Sequence, residues 1–465
     1  MAEPLWTSDE IVAATGGRFA SEAFAAYGVS IDSRSLEVGD LFVALAGKRD
    51  GRAFVPSALA AGAAGAITTG SADDRCVIVG DTLDALERLG EAARVRAKRA
   101  RRGAITGSVG KTGVTQVVRA GLSRAGRGHG SVKSYNNHIG VPLTLARMPR
   151  DTQRAIFEIG MNHAGEIAPL SRMVHPHAVA ISTVETVHVE NFAQGEAGVA
   201  RAKAEIFSGI DRGGIAVLNA DNRWFDLLRG EARRAGAKPR SFGVAKGSDA
   251  QLTRFSPAPG GASVEARIDG KAVEFHIRQS AAHWGPMSLC ALLMLGALEV
   301  DLDTGLESLA GFEALEGRGA ERVVETPAGA FTIIDESYNA SPVSVVAALG
   351  SLGMRPIEGR RIIALTDMLE LGEDAVNRHA ALIGPIESAG VDLVFCAGPL
   401  MRSLWRALPP ALQGGYAETT RELAPGLAQA IAPGDVVMVK GSRDSKPEAL
   451  VEALAALGLP AGEGD

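Results

Sequence analysis

The chain has 465 residues, 46% of them apolar and 22% charged, with a formal net charge of −6. That length exceeds what one hydrophobic core supports, so roughly three domains are expected, and the composition excludes collagen, disorder and a disulfide scaffold. The acidic balance speaks against nucleic acid as a general partner, because such partners require a basic surface.

Residues 1–102 are expected to form an N-terminal domain, mixed in pattern around Asp32, Ser33 and Arg34 and rich in Gly and Ala at 60–66. No basic segment followed by an apolar one opens the chain, so no signal peptide is predicted and a cytoplasmic location is expected. Cys76, Cys290 and Cys396 are far apart and form no CxxC pair, so neither a zinc site nor a disulfide framework is indicated. Arg94, Arg96, Lys98, Arg99, Arg101 and Arg102 form a basic run interleaved with alanines. Without an aromatic residue for base stacking, it reads as a solvated helix face.

Residues 103–319 alternate short apolar runs with longer helical stretches, the pattern of a parallel sheet covered by helices. The predicted strands are 104–106, 155–159, 178–184 and 215–218. After the first comes Thr106-Gly107-Ser108-Val109-Gly110-Lys111-Thr112, set between a strand and a helix, where backbone N–H groups cradle phosphate oxygens. Lys111 then meets the outer phosphates, and the Thr112 hydroxyl ligates a bridging magnesium ion. The strict pattern wants glycine where Ile105 stands, so this is a shortened G-x-x-G-K-T form.

Glu158 falls at the carboxyl end of the second strand, where open α/β sheets place their ligand crevice, and reads as a magnesium ligand. Glu185, His188 and Glu190 gather polar groups in the loop after the third. Lys203 lies in a helical stretch, 196–207, among alanines. If it faces the crevice, desolvation lowers its pKa, and a neutral amine reacts with carbon dioxide to give a carbamate.

Residues 263–268 and 271–277 alternate in polarity around Asp269-Gly270, a dipeptide suited to a type I′ hairpin. The apolar run 289–300 is too short to span a bilayer and reads as a buried helix, so no membrane association is expected. A hinge is predicted at 317–319, and a second α/β series follows over 320–465, with strands at 331–334, 361–365, 393–396 and 436–439. Ser341 suits a helix N-cap and Pro342 the first helical position, making 335–340 a strand-to-helix loop of the kind that binds ligands.

The chain resembles the Mur ligases over nearly its whole length, in the branch that adds D-alanyl-D-alanine to UDP-N-acetylmuramoyl-tripeptide. The resemblance is carried by Asp32-Ser33-Arg34, the loop 106–112, Tyr135-Asn136-Asn137-His138-Ile139-Gly140, Glu158-Ile159-Gly160-Met161-Asn162, His188, Lys203-Ala204-Glu205 and Asn219-Ala220-Asp221. Further on it rests on Gly317-Arg318, Asp335 to Pro342, Asp367-Met368-Leu369-Glu370-Leu371-Gly372 and Lys440-Gly441-Ser442-Arg443. It implies an α/β fold of three domains: one for the UDP-sugar, a central P-loop ATPase sheet with an antiparallel extension, and a Rossmann-like C-terminal domain that closes over the site.

The implied cofactors are ATP and Mg2+, with a carbamate on Lys203. Thr112, Glu158, His188 and Lys203 would serve the metal; Gly107, Ser108, Val109, Gly110, Lys111, Thr112, Asn137, Asn219, Arg318 and Asp335 would serve ATP. Ser33, Arg34, Tyr338, Asn339, Lys440, Ser442 and Arg443 would meet the two small-molecule substrates, and Lys111, His188, Lys203 and Arg318 would carry the catalysis. A monomer is expected. Met287 stands where the family often has an adenine-binding asparagine, and Asp335-Glu336 replaces a more usual Asp-Asp. Competing readings are a sister ligase adding a diamino acid, a folylpolyglutamate synthase, a P-loop phosphotransferase and a silent nucleotide-binding partner.

Overall fold

The computed structural model describes residues 3–47, 50–70, 73–132, 134–185, 192, 194–258 and 260–459. Among them lie sheets of five, nine and six strands and a two-stranded ribbon.

The five-stranded sheet runs Arg18–Phe19, Cys76–Ile78, Gly65–Thr68, Asp40–Val43 and Gly28–Ser30, antiparallel at its first edge and parallel beyond it. The helix Thr82–Arg96 starts where the Asp81 carboxylate accepts from the N–H groups of Leu83 and Asp84. Its buried face, Leu86, Leu89 and Ala93, shares a core with Leu143 and Ala146 of the helix Gly140–Ala146. Trp6 Nε1 donates to the Ala146 carbonyl at 2.8 Å, fastening this part of the chain to the next.

The basic run is not a solvated helix face. Its helix ends at Arg96, and the strand Arg101–Thr106 begins within the run. Arg96 lies 3.7 Å over the Trp6 ring and donates to the carbonyls of Leu5 and Met148. Arg102 is buried, its guanidinium held by the carbonyls of Ala100, Val174 and His175. Long guanidinium stems cover apolar surface while their forks find carbonyls, so only Lys98 and Arg99 of the run are exposed.

The nine-stranded sheet is parallel from Gly128–Gly130 through Arg154–Glu158, Arg101–Thr106, Ala178–Ile181, Ile215–Asn219, Lys238–Gly243 and Ala250–Ala258. It continues antiparallel through Gly261–Ile268 and Lys271–Ile277. Asp269 and Gly270 have φ of 51° and 79°, the paired positive values that a type I′ turn demands. Side chains alternate across the sheet: Ile105 enters a core with Val114, Val117 and the helix Trp284–Ala297, while its neighbour Ala104 faces Phe157, Ile167 and Val199. Each fully buried Ile or Leu contributes roughly 2 kcal/mol, and both faces are filled.

The expected strand 178–184 stops at Ile181. Residues 182–185 leave the sheet because their polar groups bond the phosphate loop, through Ser182 Oγ to the Val109 carbonyl and Ser108 N–H to the Thr183 carbonyl.

The six-stranded sheet runs Ala320–Thr326, Gly329–Glu336, Val436–Lys440, Arg361–Thr366, Leu393–Ala397 and Gln413–Ala417, parallel except for its first pair. Ser341 caps the helix Pro342–Met354 in a capping box with Ser344. Among the described residues no helix is long and apolar enough to cross a membrane.

Candidate active site

The strand Arg101–Thr106 delivers the chain into a loop that closes on the helix Lys111–Arg124. Gly107 and Gly110 have φ of 151° and 85°. A Cβ at Gly107 would lie 1.9 Å from Ser182 Oγ, and one at Gly110 would lie 2.8 Å from Met287 Sδ. Met287 therefore packs on the loop itself. Ser108 Oγ accepts from the Glu185 N–H at 2.9 Å, so residues 182–185 strap the loop in place. Lys111 Nζ donates to the Gly107 carbonyl at 2.6 Å. Burial pushes the Lys111 ammonium down from its ordinary value; the Glu158 carboxylate opposes this and the Arg318 guanidinium adds to it, so both lie within electrostatic reach of Lys111.

Glu158 is 1% exposed. Its Oε1 accepts from Asn136 Nδ2 at 2.7 Å and Ser134 Oγ at 3.1 Å, whereas Oε2 is shielded from solvent and has no hydrogen-bond donor among the described residues. A buried carboxylate oxygen without a partner is costly, and a divalent cation is the ligand whose chemistry satisfies it. Sequence reasoning did not single out Ser134 or Asn136. Asn137 Oδ1 instead accepts from the N–H groups of Ile139 and Gly140 at the start of the following helix.

Lys203 is 4% exposed, near the end of the helix Glu196–Ala204. Burial, with Lys111 nearby, holds its amine well below the ordinary lysine value, the direction expected of a crevice-facing lysine. No carboxylate among the described residues pairs with it. His188 and Glu190 lie outside the described residues. Asn219 closes the strand Ile215–Asn219, donating through Nδ2 to the Ser182 carbonyl at 3.2 Å.

At the hinge, Gly317 and Gly319 have φ of 73° and 87°. Asp335 accepts from the Gly317 N–H at 2.8 Å and from the N–H and hydroxyl of Ser337, which fixes Arg318 in place. The Arg318 guanidinium stacks 3.7 Å over the Tyr338 ring. Beyond it Lys440, almost fully buried, donates to Glu336 Oε2 at 2.9 Å and to the Asn339 carbonyl at 3.1 Å. His283, at the start of the helix Trp284–Ala297, feels both charges, and burial lowers its pKa. Ser442 is buried and accepts from the Leu369 N–H, while Arg443 is exposed. In the N-terminal part Arg34 is exposed and paired with Asp32 at 2.7 Å.

A phosphate-binding loop at the carboxyl end of a parallel sheet, with a buried carboxylate beside its lysine and a hinge arginine from a further α/β unit, defines a P-loop protein of nucleotide-driven chemistry. Residues 105–295 match the Mur ligase middle domain, and residues 320–443 match the Mur ligase glutamate ligase domain. The UDP-N-acetylmuramoyl-tripeptide–D-alanyl-D-alanine ligase of Escherichia coli (strain K12) is 33% identical over 92% of this chain and 93% of its own. The enzyme of the same name from Bacillus subtilis (strain 168) is 30% identical over 92% and 93%. A crystal structure of MurF from Acinetobacter baumannii superposes with a TM-score of 0.84 at 27% identity, covering 98% of this chain and 99% of the other. The chain belongs to the Mur ligase family, in the branch of the UDP-N-acetylmuramoyl-tripeptide–D-alanyl-D-alanine ligases.

Proposed function

We propose that the chain uses ATP to join D-alanyl-D-alanine to UDP-N-acetylmuramoyl-tripeptide, a step of peptidoglycan precursor synthesis, with the chemistry centred on Lys111. The observation that carries this reading is the phosphate loop that runs into Lys111 at the carboxyl end of the parallel sheet, with the buried Glu158 carboxylate, its Oε2 without a donor among the described residues, at the end of the neighbouring strand.

A carboxylate does not condense with an amine at neutral pH. In this reading the terminal carboxylate oxygen of the tripeptide attacks the γ-phosphorus of ATP, ADP departs, and an acyl phosphate forms. The dipeptide amine then attacks the acyl carbon, phosphate leaves with the oxygen that bridged it, and the amine gives up a proton. The first step brings two anions together, and Lys111 and Arg318 offset their repulsion. Thr112 and Glu158 would hold magnesium, helped by His188 and Lys203, and the ion when bound neutralises phosphate charge. The lowered Lys203 amine supports a carbamate there: the neutral nitrogen bonds the carbon of CO2 and sheds a proton, leaving an anion beside Lys111.

The phosphate loop, Asn137, Asn219 and Asp335 would serve the nucleotide. Ser33 and Arg34 would meet the UDP-sugar, and Tyr338, Asn339, Lys440, Ser442 and Arg443 the peptide ends. The domains in this account are 1–102, 103–319 and 320–465, in a monomer working in the cytoplasm. Phosphate release from ATP is measured with the UDP-tripeptide, with and without D-alanyl-D-alanine, and the product is weighed by mass spectrometry. Release that needs both substrates and a product heavier by one dipeptide support the reading; phosphate retained on the product, or release with another amino acid alone, defeats it.

A further inference from the structure

Five arginines, Arg99, Arg101, Arg127, Arg150 and Arg154, line one open groove of about 510 Å3. Arg101 and Arg154 are the first residues of neighbouring parallel strands, so the groove lies at the end of the sheet opposite the phosphate loop. Only two carboxylates share the lining, Asp151 and Glu299. Arg127 pairs with Asp151 at 3.2 Å and Arg101 with Glu299 at 3.0 Å, while Arg150 turns aside to Glu10 and, at 3.6 Å, Glu3. Arg154 is held by the carbonyls of Leu298, Glu299 and Ala125, and neither it nor the exposed Arg99 has a carboxylate partner among the described residues. The Nε of Arg101 is shielded from solvent with no acceptor among the described residues.

The groove is also rigid. Arg101 N–H donates to the Gln153 carbonyl and Gln153 N–H to the Arg127 carbonyl, each at 2.9 Å, which locks three of the contributing segments together.

Arg99 and Arg154, without carboxylate partners among the described residues, leave the groove with uncompensated positive charge on a chain of net charge −6, and an anion offsets it. Guanidinium forks match phosphate oxygens in pairs, and the rim ion pairs are solvated and cheap to displace. No aromatic residue lines the groove, so it is suited to phosphates rather than bases. Its concavity and size suit a small molecule. We propose that this groove binds the clustered phosphate groups of a soluble small molecule, at a site separate from the phosphate loop.

The test is calorimetric titration with inorganic tripolyphosphate while the phosphate loop is saturated with magnesium and a non-hydrolysable ATP analogue. Binding to the intact enzyme is expected to weaken by about ten-fold or more in Arg99→Glu/Arg127→Glu, with ligase turnover and melting temperature unchanged. A control pair of exposed arginines elsewhere, Arg233→Glu/Arg421→Glu, is expected to retain the affinity. Vesicles of equal parts phosphatidylglycerol and phosphatidylcholine form a parallel arm. The proposal is overturned by no tripolyphosphate binding, by equal weakening in the control pair, by unchanged affinity in the groove variant, or by binding to the vesicles alone.

Discussion

Glu158 and Lys203 are both buried, and among the described residues one Glu158 oxygen has no hydrogen-bond donor and the Lys203 amine has no carboxylate partner. Glu158→Gln keeps an acceptor for Asn136 and Ser134 but removes the charge. It is expected to lower kcat at least a hundred-fold or so while the melting temperature holds or rises, read by steady-state kinetics and calorimetry. For Lys203 the folded pKa lies below the ordinary 10.5. The unfolded chain therefore binds more protons between those two values, and the uncarbamylated protein gains stability as pH rises through that interval. Lys203→Met is expected to flatten that rise in denaturant titrations at several pH values and to abolish turnover. The strand and loop patterns put Lys111, Thr112 and Glu158 at the carboxyl end of the sheet, where the structure has them, whereas the helical pattern around Lys203 left open whether it faced solvent or the crevice. Asn136 and Ser134 were not, since they reach Glu158 from loop positions 22 and 24 residues away and no periodicity marks them.

Strands rich in β-branched and aliphatic residues were legible almost to the residue, as at Lys271–Ile277 and Val436–Lys440. Three that escaped carry little apolar pattern. Gly128–Gly130 reads Gly-His-Gly at a sheet edge, Lys238–Gly243 contains Pro239, and Gln413–Ala417 holds two glycines at another edge. Tertiary pairing overrides propensity in each. The phosphate loop shows the opposite case, where local sequence and tertiary fit agree. Gly107→Ala would drive a methyl group into Ser182 from a backbone with positive φ. It is expected to weaken ATP binding by about ten-fold or more, given a strain of roughly 1–3 kcal/mol, measured by titration with a non-hydrolysable analogue.

At the scale of the whole molecule, the predicted hinge carries Arg318, whose charge reaches Lys111, into the six-stranded sheet, and the Asp335 carboxylate accepts from its Gly317 N–H. Gly317 has φ of 73°, and a Cβ there would sit 2.9 Å from the Tyr338 nitrogen. Gly317→Ala is expected to lower kcat by about ten-fold or more with ATP affinity little changed, because Arg318 loses its stacked seat on Tyr338; turnover and nucleotide titration together check this. The central and C-terminal sheets were legible from alternating strands and helices, whereas the five-stranded N-terminal sheet and the sharing of Leu143 and Ala146 with its core were not, since its strands are two to four residues long and no local pattern reports which distant faces meet. The central claim, that an acyl phosphate links ATP cleavage to amide formation, is tested most directly with UDP-tripeptide labelled with oxygen-18 in its terminal carboxylate. Mass analysis of the released phosphate is predicted to find one labelled oxygen per phosphate, carried over from the carboxylate. Unlabelled phosphate, with amide product still formed, would contradict the account.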